Sequence, residues 1–194
     1  MIAFLKGEFV FKSPAIVHMD VNGVGYELLI SLHTFSQIQQ LNKGVLQTYQ
    51  HVREDSLTLF GFFDNVEKEL FIQLISVSGV GAATARMMLS SMKPEEIVRA
   101  IMQSNIKQLE SIKGIGKKSA ERIILELRDK VGKNIPGTNI FPLINNTLEQ
   151  DALNALIALG ISRQAADQAL KKVIASEPGI IKVEDIIKNV LKIL

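Results

Sequence analysis

Two stretches of the 194-residue chain repeat one phrase: GVGAATA from Gly79 to Ala85 and GIGKKSA from Gly114 to Ala120. The flanks match too, at an offset of 35 residues: Ser76 with Ser111, Val77 with Ile112, Val80 with Ile115, Thr84 with Ser119 and Ala85 with Ala120. A glycine-hydrophobe-glycine turn in front of a helix suits the holding of an anion. Glycines reach backbone angles that other residues resist and keep side chains out of an approach path. N–H groups at a helix start lack intrahelical partners and lie at the positive end of the helix dipole. On this reading Val80 and Ile115 point inward as anchors, and the free N–H groups of each hairpin meet phosphate. Lys117 and Lys118 add charge beside the second copy. Such contacts hold a nucleic-acid backbone and carry no base information. For one isolated copy, a plain helical hairpin whose glycines only make the turn is an equal alternative; two copies with matched flanks favour the phosphate reading.

Neither copy is a nucleotide motif. A P-loop needs four residues between its first glycine and Gly-Lys-Ser/Thr, whereas Gly116 is followed by Lys117 and Lys118, and no strand immediately precedes either copy as a dinucleotide fingerprint requires. Catalytic sets are missing as well. The chain has no cysteine, which excludes disulfides and thiolate zinc sites. His18, His33 and His51 are scattered without metal-ligand spacing, and there is no G-x-S-x-G elbow. Glu54 and Asp55 are adjacent carboxylates, but two alone leave a two-metal site incomplete; read from the residues, they are an ordinary charged turn. No cofactor and no metal are expected.

The elements that must position the repeats come in three sections. Residues 1–63 are β-branched and alternating, with NGVG as a turn and REDS separating two short runs. About five short strands in this span indicate a small antiparallel barrel of the OB type, with HTFSQIQQL as a short helix. Residues 64–133 have helical spacing and make about five short helices; Pro94, Glu95 and Glu96 mark one helix start. Residues 134–147, rich in proline and asparagine, read as a flexible linker. Residues 148–194 form three amphipathic helices, Gly160 closing the first and Ser162 capping the second. The fold class is therefore α+β multidomain.

Charge follows the same division. The net charge is +2, yet Ser111 to Lys133 carries seven basic against three acidic residues. A local basic patch on a near-neutral chain points to a localised polyanion contact, although a solvated helix face explains the charge alone. No apolar run has the length of a membrane span, and the N-terminus lacks a secretory pattern, so a soluble, cytoplasmic protein is expected.

Together with GVGYELLIS, VREDSLTLFGFF and GIGKKSAERIILELRDK, the paired motifs closely resemble the RuvA family, the Holliday-junction-binding subunits of bacterial branch-migration complexes. The resemblance covers the chain in order: OB-fold barrel, tandem helix-hairpin-helix elements, linker, and a three-helix, UBA-like domain. It implies a non-enzymatic homotetramer, with two tetramers able to sandwich a four-way junction as an octamer, acting in recombination, DNA repair and the SOS response to DNA damage. It implies phosphate contacts from both hairpins, through backbone N–H groups around Gly79, Val80, Gly81, Gly114, Ile115 and Gly116, with Lys117, Lys118 and Arg122 as basic positions after the second. After the first hairpin the family often has a lysine; here Ala82, Ala83 and Thr84 stand instead, leaving Arg86 as the compensating cation. Glu54 and Asp55 match an acidic pin at the junction centre. Leu156, Leu159 and Ile161 match positions that dock the AAA+ ATPase RuvB, although core residues of a three-helix domain would look the same. The RuvC resolvase is implied as a partner in a larger complex. Two other classes remain open on the residues: a helix-hairpin-helix repair enzyme, for which no catalytic lysine or aspartate can be assigned (Asp129 lies in a charge-rich helix), and an adaptor whose hairpins only pack.

Overall fold

The computed structural model describes residues 1–131, 148–176 and 182–193. They fall into two compact units, within Met1–Pro136 and Gly137–Leu194. The linker expected at 134–147 lies outside the described residues.

The first unit opens with β1 (Phe4–Lys12), β2 (Ile16–Val21), β3 (Val24–Ile30), helix α1 (Leu32–Ile38), β4 (Lys43–Val52) and β5 (Leu57–Phe62). The strands close into a barrel in the order β1-β2-β3-β5-β4. All neighbours are antiparallel except β3 and β5, which pair in parallel at Leu29–Phe60 and Ile30–Gly61. Inward positions alternate as the pattern requires: Val17 and Met19 of β2 and Leu28 and Ile30 of β3 are buried, and the Asn22–Gly23 turn joins their strands. β1 pairs with both β2 and β4. Its register on β2 shifts between Phe9 and Phe11, the extra residue that bends a strand around a barrel. Closure also demands a glycine at position 7, where a Cβ would lie 2.0 Å from the Asp20 carbonyl oxygen.

The chain then runs through α2 (Asn65–Ile75), α3 (Ala82–Ser91), α4 (Pro94–Met102), α5 (Ile106–Glu110) and α6 (Lys117–Val131). Asp64 caps α2 by accepting from the Glu67 N–H at 2.9 Å, and Glu96 reaches back to the Lys93 N–H at the start of α4. The helices share one core, which includes Leu74, Met88, Ile97, Ile101, Leu109, Ile123 and Leu127. That core is continuous with β5: the Phe71 ring on α2 lies 5.0 Å from those of Phe60 and Phe62.

One buried carboxylate reinforces this junction of barrel and helices. Glu67 on α2 is fully buried. It accepts hydrogen bonds from the Ser31 and Thr34 hydroxyls at the start of α1 and from the Phe63 N–H at 3.3 Å. Ser31 in turn caps α1 by accepting from the Thr34 N–H at 3.0 Å. Removal of the Glu67 carboxylate from water raises its pKa above the ordinary 4.5, against the opposing pull of those hydrogen bonds and of His33.

The second unit contains α7 (Leu148–Ala158), α8 (Arg163–Ser176) and α9 (Val183–Ile193). Ala152, Leu156, Ala166, Leu170, Val173, Ile186 and Val190 form its core. Ser162 accepts from the Ala165 N–H at 3.3 Å, in keeping with a cap on α8. No helix among the described residues is long and apolar enough to cross a membrane.

Because the Glu67 pKa is raised by folding, the native state holds its proton at pH values where the unfolded chain has released it, and stability falls as pH rises from about 4.5 through the raised value. Glu67→Gln cannot titrate, so the stability difference between wild type and this variant shifts against wild type over that window and levels off above it, as read by denaturant melts across pH. Glu67→Ala strands the two hydroxyls and costs about 2–3 kcal/mol.

Candidate nucleic-acid interface

The repeated phrase is repeated in structure bond by bond. After α2, the Val77 N–H donates to Leu74 O at 3.1 Å, Val80 N–H to Val77 O at 3.0 Å, and Ala85 N–H to Gly81 O at 2.9 Å. After α5, the Ile112 N–H donates to Leu109 O at 3.2 Å, Ile115 N–H to Ile112 O at 3.0 Å, and Ala120 N–H to Gly116 O at 2.9 Å. Even the hydroxyls correspond, Ser76 to Gln73 O and Ser111 to Gln108 O, both at 2.7 Å.

Each turn has a buried and an exposed side. Val77, Val80, Ile112 and Ile115 sit in the helical core, while Gly79, Gly81, Gly114 and Gly116 are exposed. Gly79 and Gly114 have φ of +88° and +93°, a region that L side chains enter only with strain; they make the turn. Gly81, with φ −84°, has no such need, and nothing lies within 4 Å of a Cβ built on Gly81 or Gly116. These two leave space open in front of the helix.

The donors differ from the sequence expectation in one respect. The N–H groups of Val80 and Ile115 are spent closing the turns on Val77 O and Ile112 O, because burial of the anchor side chain brings its own amide over the preceding carbonyl. The first backbone bond of α3 starts at the Ala85 N–H and that of α6 at the Ala120 N–H. The amides of Ala82–Thr84 and Lys117–Ser119 therefore have no partner within their helices. They add to the donors that the glycine pattern suggests, from which the amides of Val80 and Ile115 drop out.

The charged side chains are distributed unequally. Lys117 and Lys118 are exposed at the start of α6, beside the second turn. Arg122, one turn further along α6, donates from Nη1 to Ser78 O of the first turn at 3.0 Å. Arg86 donates from Nη1 to Ala15 O at 3.1 Å, between β1 and β2; its guanidinium is engaged with the barrel and does not replace the missing lysine of the first hairpin.

Glu54 and Asp55 are exposed at the tip of the β4–β5 hairpin, in a turn closed by the Arg53 N–H on Ser56 O at 2.8 Å. Next to them the Arg53 Nε–H donates to His51 Nε2 at 3.0 Å. Among the described residues no group of three or more His, Cys, Asp and Glu could hold a metal ion. In the second unit Leu159 is 63% exposed, whereas Leu156 is 0% exposed and Ile161 is half-buried against the core. The docking role inferred for Leu156 does not fit a side chain wholly enclosed by its own three helices.

Comparison with known proteins decides the family. Three family models match in order along the chain: the RuvA N-terminal domain at residues 1–61, the SAM-like helix-hairpin-helix tandem at 71–129, and the RuvA C-terminal domain at 147–194. The chain is 42% identical to a protein of Cytophaga hutchinsonii over 99% of both chains. It is 45% identical to one of Christiangramia forsetii, again over 99% of both, and 42% identical to one of Syntrophotalea carbinolica over 100% of this chain and 99% of the other. Each relative is named Holliday junction branch migration complex subunit RuvA. The chain belongs to the RuvA family. Its α+β architecture, with a five-stranded barrel, a helix-hairpin-helix tandem and a helical C-terminal part, is the RuvA arrangement.

The two kinds of glycine separate experimentally. Gly79→Ala and Gly114→Ala force a Cβ into the left-handed region and each lower stability by about 1 kcal/mol. Gly81→Ala and Gly116→Ala leave the melting temperature unchanged, because neither meets strain nor a neighbour. Differential scanning calorimetry of the four variants reads the contrast.

Proposed function

We propose that this chain is the non-enzymatic, junction-binding subunit of a branch-migration complex. The observation that supports this best is the bond-by-bond duplication of a turn with its apolar anchor buried and its glycine edge open in front of unpartnered helix amides. Two such edges grip phosphates of a duplex arm by backbone donors, reinforced by Lys117 and Lys118, in a manner independent of base sequence. A symmetrical four-way junction has four equivalent arms, which suits a homotetramer, with a second tetramer closing an octamer on the opposite face. Glu54 and Asp55 stand at the crossing point in this reading. Their charges repel the converging phosphates and keep the strands apart. The C-terminal helices, with exposed Leu159 and half-buried Ile161, dock the RuvB AAA+ ATPase. That motor supplies the ATP-driven step and the chain described here performs none, working in the cytoplasm and, in a larger complex, alongside the RuvC resolvase.

Gel-shift titration of a synthetic four-way junction and a linear duplex of equal length, each at two salt concentrations, tests the proposal. The junction is preferred, binding weakens with salt, and Gly81→Val or Gly116→Val loses affinity and lowers the steepness of the salt dependence. Equal weak binding to both DNAs reduces the chain to a general duplex binder, and no binding leaves an adaptor. The acidic tip has its own signature. Glu54→Gln combined with Asp55→Asn tightens junction binding by a few-fold, about what removal of exposed like-charge repulsion provides, and leaves duplex binding unchanged in the same assay.

A further inference from the structure

The two hairpins share their backbone bonds but not their charges. The second turn leads into Lys117 and Lys118; the first leads into Ala82, Ala83 and Thr84, and no charged residue stands between Ser76 and Ala85. The nearest cation in sequence, Arg86, is bonded to the barrel at Ala15 O. The cation that does reach the first turn comes from the other motif. Arg122 extends from α6 across 44 residues of sequence to donate from Nη1 to Ser78 O at 3.0 Å. The same nitrogen lies 3.9 Å from the position of a Cβ built on Gly79. At the corresponding place in the first motif, 35 residues earlier, stands Met87, which has no N–H to offer. The tie therefore runs one way, from the second motif to the first.

We propose that Arg122 is the positioning residue of the first hairpin: it fastens that turn to α6, sets the spacing of the two phosphate sites, and supplies the positive charge that the first motif lacks. This rests on the phosphate-binding reading above. A guanidinium suits the task. It stays charged at any physiological pH, and one N–H on Ser78 O leaves four of its five donors for an incoming phosphate. Covering the Ser78 carbonyl also masks a partial negative charge beside an anion site. The helix that starts at one phosphate site thereby holds the other, so the two hairpins act as one rigid caliper.

Two measurements on the full chain test this. The first needs no DNA. Arg122→Met speeds amide hydrogen exchange at Val80, whose N–H closes the first turn, by about tenfold, and leaves Ile115 in the second turn unchanged. The second is a double-mutant cycle on synthetic-junction affinity, with melting temperatures as the folding control. Arg122→Met weakens binding by about tenfold or more in the wild-type and Gly116→Val backgrounds, the lower end of what one charge-assisted bond is worth, and less than about twofold in the Gly81→Val background, where the first site is already blocked. Unchanged Val80 exchange overturns the tie, and equal losses in both glycine backgrounds overturn its assignment to the first hairpin. If the wild type shows no junction preference and neither Gly81→Val nor Gly116→Val alters binding, the functional reading fails and takes the DNA role of Arg122 with it, while the exchange experiment still decides whether the tie exists.

Discussion

Everything in the two hairpins of this molecule depends on burying one aliphatic side chain between two exposed glycines, twice. Val80 and Ile115 are each 5% exposed, and each is worth about 1.5–3 kcal/mol of burial. That energy presses the turn onto the helical core. The anchor's own amide is then consumed by the carbonyl three residues back, and the first three amides of the following helix have no partner within it. A polar residue at either anchor would release the turn, and a bulky one at Gly81 or Gly116 would leave the turn intact but closed to a ligand. A buried anchor and an open edge thus reside in adjacent residues with opposite requirements.

The duplication is close in the backbone and loose in the side chains. The hydrogen bonds of the two turns agree within about 0.1 Å, yet one turn carries two lysines and the other none. Backbone donors tolerate this divergence because they come from the fold itself. A cation need not stand beside a turn in sequence to touch it: Arg122 crosses from one motif to the other. The resulting asymmetry makes α6 the common element of both hairpins.

What was legible in the sequence was local. The glycine-hydrophobe-glycine phrase, the Asn22–Gly23 turn between alternating strands and the cap at Ser162 all act within a few residues, and each has its physical cause written next to it. Long-range facts were not legible. The parallel pairing of β3 with β5 closes the barrel, but no residue in either strand marks it. Arg122 reads as one more cation on a basic helix, and only the tertiary fold brings it to Ser78. Leu156 reads equally as a docking or a core leucine because helical spacing does not say which side of a three-helix bundle is inside. The amides of Val80 and Ile115 seemed available for phosphate until the turn geometry accounted for them.

The buried Glu67 limits how the chain can be recombined. Its carboxylate belongs to the first helix of the hairpin region, while its partners Ser31 and Thr34 belong to the barrel. A lone carboxylate in that position would be an uncompensated polar group, and the two hydroxyls without it would be nearly as costly. The three residues therefore depend on one another, and a change in one leaves the others unsatisfied. Barrel and hairpins cannot be shuffled between relatives like interchangeable cassettes: a chimaera spliced between them stays sound only if both parents bring matching halves of this one polar cluster.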